Sequence, residues 1–316
     1  MSIVHGPVRA TMAADVLRGM LSVPKALPPK YFYDARGSRL FDAICDTPEY
    51  YPTRTERALL ARVAADVVAR VRPAELAELG SGAARKTRVF LSAMGAGRFV
   101  PIDISEPMLV ASARDLVRDY PWLSVYGVVA DLDADLRSLL PAPAGPRLWL
   151  FLGGTIGNFD DPAAIALLSR VRAAMGPGDA LAVGMDLVKA PWRLIAAYND
   201  AVGITAEFNR NVLRVINREL GADFDVESFD HVALWRPELE QIEMHLEARR
   251  PMVATIGRLG VRVRFASGER IHTENSRKYT RASARRIAGA AGLRELDWLV
   301  SDDGAFALAL LAPESP

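Results

Sequence analysis

The sequence predicts an α/β protein in which a mostly parallel sheet ends in an antiparallel hairpin and a second, smaller α+β part is attached. Three observations carry this expectation. From about residue 75 to 190, short apolar runs alternate with segments of helical period, the pattern of parallel strands joined by crossover helices. Two apolar strand patterns flank Asp302-Asp303-Gly304 near the C-terminus, a hairpin signal that a plain dinucleotide-binding fold lacks. Residues 1–60 and 190–278 follow neither pattern. At 316 residues, and with about 150 per domain as a prior, two domains are expected: 61–189 with 279–316, and 1–60 with 190–278.

The elements follow in order. Ala74 to Leu79 reads as a strand closed by Gly80-Ser81-Gly82, and Thr87 to Met94 as a helix. Arg98 to Asp103 is the next strand; Leu109, Ala113, Leu116 and Val117 then fall at helical spacing before Pro121. Leu123 to Ala130, Arg147 to Leu152 and Leu181 to Met185 complete the parallel strands. Asp160-Asp161-Pro162 is a helix start with side-chain caps and proline in the first turn, and Gly176-Pro177-Gly178 is its stop. A helix at 282–291 and strands at 296–300 and 306–311 end the chain. In the second part, Ile242, Met244 and Leu246 alternate with polar residues and so share one strand face; Val261, Val263 and Phe265 do the same.

Composition excludes several classes. Half of the residues are hydrophobic and 39 basic face 38 acidic side chains, which fits a soluble globular chain and argues against a dedicated nucleic-acid or membrane-surface binder. Residues 219–247 hold nine acids and one base and residues 249–286 eleven bases and two acids, a segregation read as mutual neutralisation. A single cysteine, Cys45, makes no internal disulfide, and His5, His231, His245 and His272 lack metal-ligand spacing, so neither a thiolate cluster nor a structural zinc is expected. Arg9, Asp15 and Arg18 stand where a signal peptide would be apolar, and no apolar run reaches the roughly 18 residues of a membrane span. A reducing, cytoplasmic location is expected, with Cys45 as a small buried hydrophobe and His231, His245 and His272 as solvated strand or turn residues.

The chemistry-bearing residues cluster at strand ends. Gly80 and Gly82 let a ligand approach the backbone at the start of a helix. Arg85 stands where the third glycine of a dinucleotide fingerprint would be, and Lys86 follows, which favours a site for one carboxylate over a pyrophosphate cradle. Asp103 ends the second strand, where an acid can accept both hydroxyls of a ribose, and Asp131 follows the third. With Gly153 they converge on one crevice if the strand order is that of an open α/β sheet. Each acid alone is equally consistent with capping the next helix; together they suggest adenosine.

The order of this loop, the segment Phe151-Leu152-Gly153-Gly154-Thr155-Ile156-Gly157-Asn158 and the terminal hairpin resemble class I S-adenosylmethionine-dependent methyltransferases, which have a Rossmann-like sheet. Pro28-Pro29-Lys30-Tyr31-Phe32-Tyr33-Asp34, the run from Pro48 to Glu56, Phe208-Asn209-Arg210-Asn211 and Thr273-Glu274-Asn275-Ser276 resemble, more narrowly, the histidine-specific Nα-methyltransferases of ergothioneine biosynthesis. The resemblance runs from about residue 20 to 312. It implies cofactor contacts from Tyr33, Gly80, Lys86, Asp103, Asp131, Leu132 and Gly153, with Lys86 on the methionyl carboxylate and Asp103 on the ribose. Leu132 takes a place where relatives often carry an aromatic. For an L-histidine substrate the resemblance implies Tyr50, Asn158, Tyr198, Met244, Glu274 and Ser276, with Asn158 and Tyr198 on the α-carboxylate and Glu274 and Ser276 on the imidazole. Tyr33 and Tyr50 are the candidates to orient the amine.

These residue types suit that chemistry. Glu274 and Ser276 are two apart, so in an extended segment both reach one small ring. The carboxylate can accept an imidazole N–H, and the hydroxyl can serve the other nitrogen. The resemblance implies three transfers from S-adenosylmethionine, each leaving S-adenosylhomocysteine, to give trimethylhistidine, and no metal is required. A monomer acting on a free amino acid, without nucleic acid or membrane, is expected. Three other readings remain: a methyltransferase for another small amino acid or amine, a non-catalytic binder of S-adenosylmethionine or histidine, and an RNA methyltransferase using the basic stretch.

Overall fold

A computed structural model describes residues 1–6 and 11–314, so Arg9 lies outside the described residues. The chain forms two compact units: Met1–Arg9 with Pro52–Val188 and Tyr279–Pro316, and Ala10–Tyr51 with Lys189–Lys278.

The first unit is built on an eight-stranded sheet in the order Ser2–His5, Leu123–Val129, Gly97–Asp103, Glu75–Leu79, Arg147–Phe151, Ala180–Asp186, Phe306–Pro313, Leu293–Val300. The first six are parallel, and the C-terminal pair is the expected antiparallel hairpin, its inner strand antiparallel to Ala180–Asp186. Glu75–Leu79, Arg147–Phe151 and Ala180–Asp186 are buried along their whole length, as central strands covered on both faces must be. Alternate residues feed two cores: Trp149 and Phe151 pack with Leu168 and Ile287, while Leu148 and Leu150 pack with Leu59 and Phe90. From Glu75–Leu79 the chain winds outward to Gly97–Asp103 and Leu123–Val129, then returns to the other side. In open α/β sheets ligands bind outside the carboxyl ends of the strands at such a reversal.

The expected boundary at residue 60 is corrected in two places. Ser2–His5 extends the first unit's sheet, with Ile3 opposite Gly127, because four residues carry too little pattern to reveal their long-range partner. The helix Tyr51–Val71 passes into the first unit at Pro52, because Leu59, Leu60, Val63 and Val67 join the core around Leu148 and Leu150.

The second unit has a four-stranded sheet in the order Lys25–Ala26, Arg270–Arg277, Gln241–Ala248, Phe229–Arg236, and a separate hairpin of Met252–Ile256 with Val261–Phe265. The helix Ile204–Leu220 buries Phe208, Val212, Val215 and Ile216 at helical spacing and stops at Gly221, whose φ of 59° suits glycine. Met244 lies opposite Glu274, Ile242 opposite Ser276 and Leu246 opposite Ile271, so they share the expected face. A bulge between His272 and Glu274 places one extra residue, Thr273, whose hydroxyl donates to the Met244 carbonyl at 2.9 Å. Arg249–Asp230, Arg250–Asp225 and Arg270–Glu247 pair the basic stretch with the acidic one. Among the described residues no helix is long and apolar enough to cross a membrane.

Candidate active site

In the first unit, the loop after Leu79 turns through Gly80 and Gly82, both at positive φ, and a Cβ on either would meet nothing within 4 Å. Backbone and open space are therefore presented together, as a ligand that touches main chain requires. Asp103 ends its strand beside this loop. One carboxylate oxygen accepts the Gly82 amide and the other the Ser105 amide, each at 2.8 Å, which aims the group while leaving further lone pairs for ribose hydroxyls. Asp131 and half-buried Leu132 follow the next strand outward, and Gly153 ends the neighbouring strand on the other side. Gly80, Asp103, Asp131 and Gly153 thus stand at adjacent strand ends, as the sequence predicted.

Lys86 lies at the start of the next helical segment and is held by the buried carboxylate of Glu56, which also accepts the Gly153 amide at 2.6 Å. Glu56 belongs to the quoted run from Pro48, yet no local pattern marks it as a partner of Lys86. Glu78, buried beneath the loop, is pushed up to about 8 by desolvation, an effect opposed by its hydrogen bond from Thr87 and by Lys86. It is therefore largely protonated at neutral pH. Asn158 closes the short helix Thr155–Asn158 after the Gly153-Gly154 turn.

In the second unit, Tyr33, Tyr50, Tyr198, Glu274 and Ser276 are brought together. Tyr33 sets its ring edge to Phe41 and Phe208, and Tyr50 packs edge-on to Phe41 and Tyr198 at 6.1 Å. Tyr33 is 43 % exposed. Desolvation first, then nearby Glu274 for Tyr33 and Tyr198 for Tyr50, raises both phenols well above the ordinary tyrosine value. The Tyr198 hydroxyl meets Ser276 Oγ at 2.5 Å. Glu274 is buried, and its Oε2 has no hydrogen-bond partner among the described residues. Its carboxyl is pushed up to about 7 by burial, with Lys278 opposing. Met244, 2 % exposed, lies across from it.

Sequence reasoning missed Lys278, which is completely buried and donates to Ser276 Oγ at 2.8 Å and to the Tyr198 hydroxyl at 2.9 Å. Its spacing of two from Ser276 and four from Glu274 was the available signal. The expectation of solvated histidines is also corrected. The Asn209 amide donates to His231 Nδ1 at 2.9 Å, so His231 Nε2 carries the proton and donates to the Tyr198 carbonyl at 2.7 Å. Burial first lowers the pKa of His231, and likewise that of His245, which lies against Glu243; His272 is half-buried against Asn275. Each folds onto a neighbouring polar side chain rather than into water. Cys45 is half-buried in the helix Ala35–Asp46, not fully buried as expected. Asn211 ties the Phe32 carbonyl and Asp34, so the Phe208-Asn209-Arg210-Asn211 segment fastens Tyr33 and Tyr198 from behind.

Comparison with known proteins matches residues 12–313 to the family model described as histidine-specific methyltransferase, SAM-dependent. The histidine N-alpha-methyltransferase of Mycolicibacterium smegmatis is 43% identical over 94% of this chain and 93% of its own length. Ergothioneine biosynthesis protein 1 of Neurospora crassa is 30% identical over 92% of this chain and 33% of its own length. Among solved structures, an S-adenosylmethionine-dependent methyltransferase from Clostridium acetobutylicum shares the fold, with a TM-score of 0.51 at 12% identity over 88% of this chain and 99% of that one.

Proposed function

This chain belongs to the family of histidine-specific, S-adenosylmethionine-dependent methyltransferases, and on that premise we propose how its residues divide the work. The enzyme methylates the α-amino nitrogen of L-histidine, and three transfers give Nα,Nα,Nα-trimethylhistidine, the precursor stage of ergothioneine synthesis. The observation that carries the residue assignment is Glu274, a buried carboxyl with one oxygen unpartnered among the described residues, two positions from Ser276 on the same strand.

S-Adenosylmethionine supplies an already activated sulfonium methyl group. Asp103 is assigned to the ribose hydroxyls, the Gly80–Gly82 loop to close main-chain approach, Lys86 to the methionyl carboxylate, and Asp131, Leu132 and Gly153 to the rest of the cofactor. Tyr33, which lies in the second unit, keeps its assignment to the cofactor on the resemblance alone. The open space at Gly80 and Gly82 supports that cradle.

Glu274 accepts an imidazole N–H, and Ser276, whose hydroxyl meets that of Tyr198, serves the second ring nitrogen. Tyr198 of the second unit and Asn158 of the first keep their assignment to the substrate carboxylate on the resemblance alone, and Met244 sets the depth available to the ring. An indole offers one N–H and more bulk, leaving a buried polar group unpaired, which penalises it. For transfer the amine must present a neutral lone pair in line with methyl carbon and sulfur. Tyr33 and Tyr50 keep their protons, so they orient the amine through their oxygens and do not deprotonate it. The reaction stops at a quaternary nitrogen, which has neither proton nor lone pair.

Mass spectrometry of the full chain incubated with S-adenosylmethionine and the twenty amino acids tests this reading. A gain of up to three methyl groups on histidine alone is expected. Gain on a different amino acid would overturn the pocket assignment, and no gain would overturn the activity.

A further inference from the structure

Lys278 occupies a position that the reaction as described does not use. It is the residue directly after the strand Arg270–Arg277, and its backbone amide donates to the Glu240 carbonyl at 2.7 Å, holding it at the end of the sheet. Glu274, Ser276 and Lys278 alternate along this edge, so all three side chains go to one side. Lys278 is completely buried, donates to two hydroxyl oxygens, and sets its nitrogen 4.5 Å from the centre of the Tyr198 ring. Removing an ammonium from water is costly unless charge and hydrogen bonds answer it. Two hydroxyls and an aromatic face supply hydrogen bonds and partial charge, and the lysine in turn acts on the Glu274 carboxyl, whose protonation it opposes.

We propose that Lys278 is a positioning residue of the histidine pocket, the cation that turns the Ser276 hydroxyl into a donor toward the imidazole and balances the carboxylate of Glu274. The inference rests on the pocket proposed above. A hydroxyl has one proton and two lone pairs. Lys278 can only donate, so one lone pair on each oxygen is committed to it. One hydroxyl proton lies in the 2.5 Å contact between Tyr198 and Ser276, and the other is directed away from the ammonium. A neutral imidazole has one N–H and one ring lone pair. Glu274 answers the N–H, and a hydroxyl fixed as a donor answers the lone pair. Without the lysine the hydroxyls can rotate to present lone pairs instead, and the pocket no longer distinguishes the two nitrogens. The same cation opposes protonation of Glu274, which also acts on the phenols of Tyr33 and Tyr50.

The test is Lys278→Met, with steady-state kinetics from pH 6 to 9 and titration with S-adenosylhomocysteine as a check on the folded cofactor unit. The histidine KM is expected to rise by about tenfold or more, the loss of one charge-assisted hydrogen-bond set, with kcat changing less. The acid limb of kcat/KM is expected to move to higher pH, because removing a positive neighbour raises the pKa of a carboxylate. Unchanged S-adenosylhomocysteine affinity is expected throughout. A histidine KM within about twofold of the parent and an unmoved acid limb would overturn the proposal. Lys278→Arg, which keeps the charge with different geometry, is expected to hold the acid limb near its original pH while still raising KM. If Lys278→Met does not fold, this variant decides: an acid limb that moves up in it would count against the charge-balancing role, and an unchanged KM against the positioning role. A parent enzyme inactive on histidine would mean that the underlying reading has failed; an active parent with an indifferent variant would mean that only the lysine assignment has.

Discussion

Glu56 and Gly153 lie 97 residues apart and are joined by a 2.6 Å hydrogen bond from the Gly153 amide to the Glu56 carboxylate, whose other oxygen holds Lys86. One buried acid thereby sets the position of two groups assigned to the cofactor. A Cβ at position 184 would stand 2.5 Å from Glu56 Oε1, so a larger residue there would displace this carboxylate.

Glu56→Ala strands the Gly153 amide and leaves Lys86 without this partner. A buried unsatisfied amide costs about 1–3 kcal/mol, so a loss of that order is expected in chemical denaturation. Glu56→Gln retains an acceptor for the amide and is expected to lose less. Both should weaken S-adenosylhomocysteine binding because Lys86 is no longer aimed. Equal stability of parent and Ala variant would remove Glu56 from this role.

Asp103→Asn removes the charge from a group already aligned by Gly82 and Ser105. Hydrogen bonds to charged groups contribute about 1.5–3 kcal/mol, so the S-adenosylhomocysteine dissociation constant is expected to rise about 10- to 100-fold. Histidine KM at saturating cofactor should hold. An unchanged titration would show that Asp103 does not meet the ribose.

Glu274→Ala combined with Met244→Val removes the buried acceptor and shortens the side chain opposite it. Histidine kcat/KM is expected to fall by about 100-fold, the size of one charged hydrogen bond. Tryptophan should become a measurable substrate in a competition assay read by mass. Retained preference for histidine would place the ring elsewhere.

His231 carries a stability prediction with a definite sign. Its folded pKa lies below the ordinary 6.5, chiefly through burial, so the unfolded chain binds the proton more readily. Its contribution is fully present above about 6.5 and is lost as pH falls from there toward the lowered folded value. His245 adds in the same direction. Thermal denaturation between pH 7.5 and 5 should therefore show a shallower decline in His231→Gln than in the parent. Parallel slopes would refute a neutral, structural His231.

Much of the first unit was legible because its signals are local. A strand buried on both faces is a continuous apolar run, a glycine turn marks its end, and the acid at Asp103 follows directly, so order along the chain foretells order around the crevice. The alternation at Gln241–Glu247 likewise placed Met244 on its face before any partner was known. Family-specific segments then pointed to Glu274 and Ser276, although their geometry was not in the pattern.

The sequence by itself determined the α/β class, the terminal hairpin, the strand-end loop and the chemical types available to a cofactor and an amino acid. Tertiary structure alone decided that Ser2–His5 joins the first sheet, that Glu56 commands Lys86 across 30 residues, and that Lys278 reaches Tyr198 across 80. It also decided the phase of Glu274, through an extra residue at Thr273 that no periodicity announces. The physical reason is the same in each case. Turn chemistry and burial pattern act over a few residues and are written in order, whereas a buried charge is defined by whichever distant groups surround it once water has been removed.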